Sequence, residues 1–228
     1  MYRDILCKTF KMLYPKNLSL ENKEEESYLE NLIDFVFKGY LGLIKPWQEK
    51  EEISRLARIV KQMNPKCFLE IGTAMGGTLF LFSHLSSEDA IIISIDLPKG
   101  RFGGGYSGWR IPLYMSFSSR KQRINLIRAD SHSHKTLEIV KEILDGYKVD
   151  FIFIDGDHSY SGVKKDFEMY SPLLDKGIIA FHDIVPGKPE MVGEVNRFWN
   201  EIKGKYVYEE IVKDWHQDSC GIGVLFLY

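Results

Sequence analysis

The sequence predicts an α/β fold: a seven-stranded sheet covered by helices on both faces and preceded by a helical appendage. Short apolar runs recur at 67–71, 91–95, 124–129, 151–154 and 178–181, and helical patterns lie between most of them. Runs apolar on both faces and separated by helices belong in a buried parallel sheet. Residues 206–212 and 221–228 read as two further strands joined by a short connection, which suggests an antiparallel hairpin at the sheet edge.

In order along the chain, residues 1–45 form the appendage. Leu29, Leu32, Ile33, Val36 and Tyr40 fall at helical spacing and give this segment one apolar face. Tyr14-Pro15 breaks an earlier short helix, and the acidic stretch 21–26 reads as a solvated face. Lys45-Pro46-Trp47 ends the appendage, and residues 46–228 form the main domain. Ile53, Leu56, Val60 and Met63 mark an amphipathic helix that Asn64-Pro65 stops. Between the strands, helical patterns run through 79–85, through Leu137, Val140 and Leu144, and through Val163, Phe167 and Tyr170; a last helix covers 192–202. Residues 97–119 lack regular patterning. Twenty-odd such residues in a compact domain are usually functional or mobile, and the aromatics, arginines and glycines here suit a loop that closes over a ligand. The competing reading is a surface insertion.

The 228 residues are 44% hydrophobic and 27% charged, with a formal net charge of −2. That balance carries no basic footprint for nucleic acid. The apolar runs are far too short to span a bilayer, and the N-terminus lacks the apolar core of a signal peptide. Cys7, Cys67 and Cys220 lie far apart with no C-x-x-C, so they read as reduced core residues of a cytoplasmic protein rather than a disulfide framework or a zinc site.

The chemistry starts at Phe68-Leu-Glu-Ile-Gly-Thr-Ala-Met-Gly-Gly-Thr78. An apolar strand turns at Gly72 and leads at Gly76-Gly77 into a helix. The dinucleotide pattern G-x-G-x-x-G leaves room for a pyrophosphate at a helix N-terminus. Here the spacing is G-x-x-x-G-G, with Glu70 two residues before the first glycine. A carboxylate beside a glycine turn suits a cationic ligand better than a phosphate. S-adenosylmethionine, which carries an ammonium and a sulfonium, fits. Ligands of open α/β sheets bind beyond the carboxyl ends of the strands. Those ends here are Glu70-Ile-Gly72, Asp96, Asp130-Ser131, Asp155-Gly-Asp157-His158 and His182-Asp183. Five carboxylates in succession are hard to explain as helix caps alone, because mutual repulsion would raise their pKa values. A cationic ligand with a metal relieves that repulsion.

With these residues the chain resembles the class I S-adenosylmethionine-dependent methyltransferases. Within that class it is similar to the group with cephalosporin hydroxylase-like proteins and sugar (rhamnosyl or macrolide-glycoside) O-methyltransferases. Glu70-Ile-Gly-Thr-Ala-Met-Gly-Gly, Ile93-Ser-Ile-Asp96, Asp150-Phe-Ile-Phe-Ile-Asp-Gly-Asp-His-Ser-Tyr160 and Gly177-Ile-Ile-Ala-Phe-His-Asp183 carry the resemblance. It covers roughly residues 47–228 and implies a Rossmann-like seven-stranded sheet with the last strand antiparallel. It also implies that Glu70, Gly72, Thr73 and Gly76 hold the amino-acid end of the cofactor, Asp96 the ribose, and Asp130 with Ser131 the adenine. A divalent metal, Mg²⁺ or Mn²⁺, would sit on Asp155, His182 and Asp183. The chain departs from the pattern there. Sugar-modifying relatives tend to carry Glu where His182 stands, and catechol-type relatives an amide where Ile184 stands; a histidine favours a softer metal or none.

His158 is the candidate base, as the resemblance also implies. An alcohol holds its proton far above neutral pH, so methyl transfer to a hydroxyl needs a base, a metal or both. The competing role for His158 is a cap on the helix that begins near Ser161; for Asp183 it is a turn cap. The expected partner is a small-molecule acceptor with a hydroxyl, on a sugar or secondary metabolite. The apolar face of 29–40 covers either the sheet domain's own pocket or a partner's, so a homo-oligomer is compatible with the sequence. The alternative function is a non-catalytic S-adenosylmethionine-binding scaffold or partner protein. A nicotinamide-dependent oxidoreductase is disfavoured by the missing G-x-G-x-x-G.

Overall fold

The computed structural model describes residues 9–10, 26–119 and 121–228. The break at Tyr14-Pro15, nearly all of the acidic stretch, and Cys7 lie outside the described residues.

Seven strands form one sheet: β1 (Cys67–Ile71), β2 (Ile91–Ile95), β3 (Arg123–Ile127), β4 (Phe151–Ile154), β5 (Gly177–His182), β6 (Val207–Ile211) and β7 (Ile222–Leu227), in the order β3-β2-β1-β4-β5-β7-β6. The first five are parallel, and β7 runs antiparallel to both β5 and β6. The seven-stranded sheet and its edge hairpin are as expected from the sequence. β1, β2 and β4 are buried at every position, which is why they read as continuous apolar runs rather than alternating ones.

Alternate residues of each strand feed two cores. On one face, Phe68, Phe151, Phe153 and Ala180 pack with α1 (Glu26–Lys38), α2 (Lys50–Met63), α3 (Gly77–Leu85) and α4 (Ile111–Met115). On the other, Leu69, Ile71, Ile152 and Phe181 pack with α5 (His134–Leu144), α6 (Tyr160–Tyr170) and α8 (Val195–Ile202); α7 (Pro189–Val192) is a single turn before α8. The helix of the expected appendage, α1, buries Tyr28, Leu29, Leu32, Ile33 and Val36 in the first of these cores.

Two elements differ from the sequence reading. The helix expected over 192–202 breaks at Gly193-Glu194 because His158 lies against it. Glu194 N–H donates to the His158 carbonyl at 2.7 Å. Gly193 has φ +57°, and a Cβ there would stand 2.0 Å from the same oxygen. The long stretch 97–119 is also only half a loop. Pro112 starts α4, and Tyr106, Leu113, Tyr114 and Phe117 are buried. A five-residue helix is too short to show a period, so only residues 97–105 remain as irregular chain beside the site.

The order of strands reverses between β1 and β4, where two neighbouring parallel strands send their connections to opposite sides and open a crevice. Ile71 faces Ile154 in the register, so the residues after them, Gly72 and Asp155, meet at its floor.

Candidate active site

A cavity of about 400 Å³ opens at the carboxyl ends of β1, β2, β4 and β5. That volume lies in the ordinary range for small-molecule sites. Gly72, Thr73, Asp96, Asp130, Ser131, Asp155, His158, His182 and Asp183 all line it. Glu70 and Gly76 lie behind the wall.

The cradle end is built from the β1–α3 turn. Gly72 takes φ +98°, and its N–H donates to Ile95 O at 2.8 Å. The next two N–H groups, of Thr73 and Ala74, donate to Asp96 Oδ2 at 3.1 and 2.7 Å. Burial pushes the Asp96 carboxyl up to about 6. Glu70 has no exposed surface. It accepts from Thr78 Oγ1 and Ser94 Oγ, each at 2.6 Å, and burial pushes its carboxyl up to about 8. Glu70 thus ties β1, β2 and α3 together under the turn. Gly76 is needed for packing: a Cβ there would stand 2.5 Å from the Tyr114 ring, whose hydroxyl donates to Ala74 O at 2.8 Å.

The other end holds two histidines between two carboxylates. His182 Nδ1 is 3.0 Å from Asp155 Oδ1 and 3.5 Å from Asp183 Oδ2. His158 Nε2 is 3.3 Å from Asp155 Oδ1, and its Nδ1 is 3.1 Å from Asp183 Oδ2 and 2.9 Å from Met191 O. Burial opposes the cationic form of both rings, yet the flanking carboxylates outweigh it. His158 is raised above the ordinary imidazole value and His182 well above it. Burial likewise opposes ionised Asp155, and the two imidazoles reverse that, so its carboxyl is held below the usual range. Ser159, whose Oγ accepts from Gly162 N at 3.0 Å, caps α6. His158 is therefore free of the capping role that competed for it.

Several residues of this site carry no signal in the sequence. Gln48 Nε2 donates to Asp155 Oδ2 at 2.7 Å. Phe102, from the irregular loop, stacks on His158 with centroids 4.8 Å apart and rings 18° from parallel. Cys220, read as a core residue, lines the cavity, and its N–H donates to Asp183 Oδ1 at 2.8 Å. His132 also lines the cavity, with Nε2 3.2 Å from the fully buried Asp166 Oδ1. These meetings join residues far apart in the chain, so no spacing announces them. Among the aromatics, Trp47 and Phe102 reach the cavity, whereas Tyr106 is core.

The donor set suits a divalent cation. One donor atom each from Asp155, His158 and Asp183 lies within 4.8 Å of the other two, and the same holds for His182, Asp183 and Cys220. His182 Nε2 is buried with no hydrogen-bond partner among the described residues, an arrangement that is costly unless something else satisfies the nitrogen.

A family profile described as "Methyltransferase domain" matches residues 69–184, half of the chain, from within β1 to just past Asp183. The chain belongs to this methyltransferase-domain family. The resemblance read from the sequence therefore holds for family and fold. Tapetum-specific methyltransferase 1 of Arabidopsis thaliana is 27% identical over 164 residues, covering 69% of this chain and 63% of that protein. An uncharacterised protein of Acanthamoeba polyphaga mimivirus is 28% identical over 153 residues, covering 61% of this chain and 62% of that protein. A third relative is matched over only 14% of its length, so the chain spans less than two thirds of each of these curated relatives. In fold, the methyltransferase chain is similar to an O-methyltransferase from Bacillus cereus solved with SAH. The TM-score is 0.54 at 16% identity, covering 89% of this chain and 91% of that one. It is similar too to a TDP-rhamnose 3′-O-methyltransferase of calicheamicin biosynthesis, at TM-score 0.55 and 18% identity, covering 96% and 93%. No helix among the described residues is long and apolar enough to cross a membrane.

Proposed function

We propose that this methyltransferase uses S-adenosylmethionine to methylate a hydroxyl oxygen of a small molecule, a sugar or secondary metabolite, with a divalent metal assisting. The observation that carries the proposal is one cavity that joins the Gly72–Thr73 turn to the Asp155/His158/His182/Asp183 cluster. The solved structures of similar fold include O-methyltransferases, one of them acting on a sugar nucleotide by its name.

In this reading Gly72 and Thr73 present the turn to the amino-acid end of the cofactor, with Glu70 and Gly76 supporting the turn from behind. Asp96 fixes the turn with Oδ2 and offers Oδ1 to the ribose, while Asp130 and Ser131 face the adenine. When bound, the cofactor supplies an already activated methyl group, so the protein's work is to position the acceptor and remove its proton. His158 does the second. Its Nδ1–H donates to Met191 O, which leaves Nε2 as the basic nitrogen. Phe102 holds the ring flat. Asp155, His182 and Asp183 would hold the metal, which would lower the pKa of an oxygen bound to it. Gln48 keeps Asp155 oriented.

The test is product formation. The protein is incubated with S-adenosylmethionine, Mg²⁺ or Mn²⁺, and a panel of hydroxylated sugars and phenols, and S-adenosylhomocysteine is quantified. The proposal expects turnover that His158→Ala abolishes while cofactor binding persists. Cofactor binding with no product from any acceptor, unchanged by His158→Ala, would favour the non-catalytic scaffold instead.

A further inference from the structure

The same centre holds a residue that its oxygen chemistry does not need. Cys220 sits in the β6–β7 connection and lines the cavity, and a donor atom from each of Cys220, His182 and Asp183 lies within 4.8 Å of the others. We propose that Cys220, in place of Asp155, is a thiolate ligand of the metal centre, with His182 and Asp183, and that the centre therefore selects a borderline metal of the Zn²⁺ or Co²⁺ kind over Mg²⁺. The proposal rests on the metal-assisted reading above and refines it.

Three observations carry it. Tetrahedral zinc sites hold N, O and S donors roughly 3.5 Å apart, so a 4.8 Å spread needs only a modest side-chain adjustment. His182 is 4% exposed, and its Nε2 has no partner among the described residues, so the cluster contains a nitrogen that those residues leave unsatisfied. Finally, the chain holds the cysteine in place at a cost. Cys220 has φ +68° and Asp183 φ +62°, a region that non-glycine residues rarely adopt. The two are bonded to each other through Cys220 N–H and Asp183 Oδ1.

The neighbouring backbone is anchored as well. Glu52, 1% exposed, accepts from Gly221 N at 2.7 Å, Lys213 N at 3.0 Å and Gln217 Nε2 at 2.7 Å. Strained positions persist where the surroundings over-determine them, and they cluster at functional sites. The donor chemistry then decides the metal. Mg²⁺ takes hard oxygen ligands, whereas thiolate with imidazole suits Zn²⁺ and its neighbours. Three protein donors are also the number that catalytic zinc sites use, with a further position kept for water or substrate.

The test uses the full chain, freed of metal with a chelator, and Co²⁺ as a spectroscopic probe. Bound Co²⁺ should give a near-ultraviolet thiolate charge-transfer band. That band should vanish in Cys220→Ser and persist in Cys67→Ser, whose cysteine is buried on β1. Zn²⁺ should displace the Co²⁺, and a large excess of Mg²⁺ should not. A second readout needs no variant: alkylation of Cys220, mapped by mass spectrometry, should be blocked by Zn²⁺ and unaffected by Mg²⁺. If Co²⁺ binds without a thiolate band and Zn²⁺ leaves Cys220 reactive, the cysteine is no ligand and the proposal is overturned, while the metal-assisted reading stands. If neither Co²⁺, Zn²⁺ nor Mg²⁺ binds, both are overturned.

Discussion

A Cβ on Gly72 would stand 2.0 Å from the carbonyl oxygen of Asp155. This approach brings the glycine turn after β1 and the Asp155/His158/His182/Asp183 cluster together. Asp155 N–H donates to Ile71 O at 2.8 Å, so the two strand ends are sewn at this level. Gly72→Ala would both clash with that carbonyl and force φ +98° on an alanine. The expected cost is about 3 kcal/mol of stability, read as a lowered denaturation midpoint, with cofactor binding lost. An unchanged midpoint would show that the strand ends can part without penalty.

Glu52 anchors the segment that presents Cys220. Its carboxylate accepts from three donors of the β6–β7 connection, two of them backbone N–H groups. Glu52→Ala should cost about 3 kcal/mol, because buried donors are left unsatisfied. Glu52→Gln, which keeps an acceptor oxygen, should cost less. Chemical denaturation of the three proteins checks both.

Glu70 makes folding stability depend on pH. Its carboxyl titrates near 8 in the folded state because burial disfavours the charge, against an ordinary value near 4.5. Between those values the folded state keeps a proton that the unfolded chain has lost. The contribution is therefore full below the unfolded value and declines as pH rises through the window. Glu70→Gln, neutral throughout, should show a flatter midpoint between about pH 5 and about pH 8.5. Parallel curves for the two proteins would mean that Glu70 is ionised in the folded state at neutral pH.

In the proposed reading Phe102, stacked on His158, orients the base rather than the cofactor. Removal of the stacked ring in Phe102→Ala frees the imidazole to rotate, and misplacement of a catalytic group by an ångström is costly. Turnover should fall about tenfold while cofactor affinity changes far less. A matching loss of cofactor affinity would place the ring's role elsewhere.

The sheet and its carboxylate-bearing strand ends were legible because β1, β2 and β4 are buried at every position, with Glu70 near the end of β1 and Asp96 and Asp155 directly after β2 and β4. Glu70 was legible as a motif residue, but its place was not. Only the structure shows that Thr78 and Ser94 draw it beneath the turn. Gln48 meets Asp155 across 107 residues and Glu52 meets Gly221 across 169, distances that no local pattern spans. Cys220 was read as core because the three cysteines lie far apart with no C-x-x-C, and its neighbour Asp183 stands 37 residues earlier, just after β5. Tyr106–Phe117 looked irregular because α4 is barely more than one turn long.

The central claim is that the cavity binds S-adenosylmethionine through the turn and Asp96. Calorimetric titration of the cofactor into the wild-type chain and into Asp96→Asn tests it most directly. The asparagine keeps an acceptor for Thr73 and Ala74 N–H but puts a donor where the ribose diol would meet Oδ1. The account predicts saturable binding to the wild type and a severe loss in the variant, with both proteins folded. No heat of binding with the wild type, with or without Mg²⁺ or Mn²⁺, would contradict it.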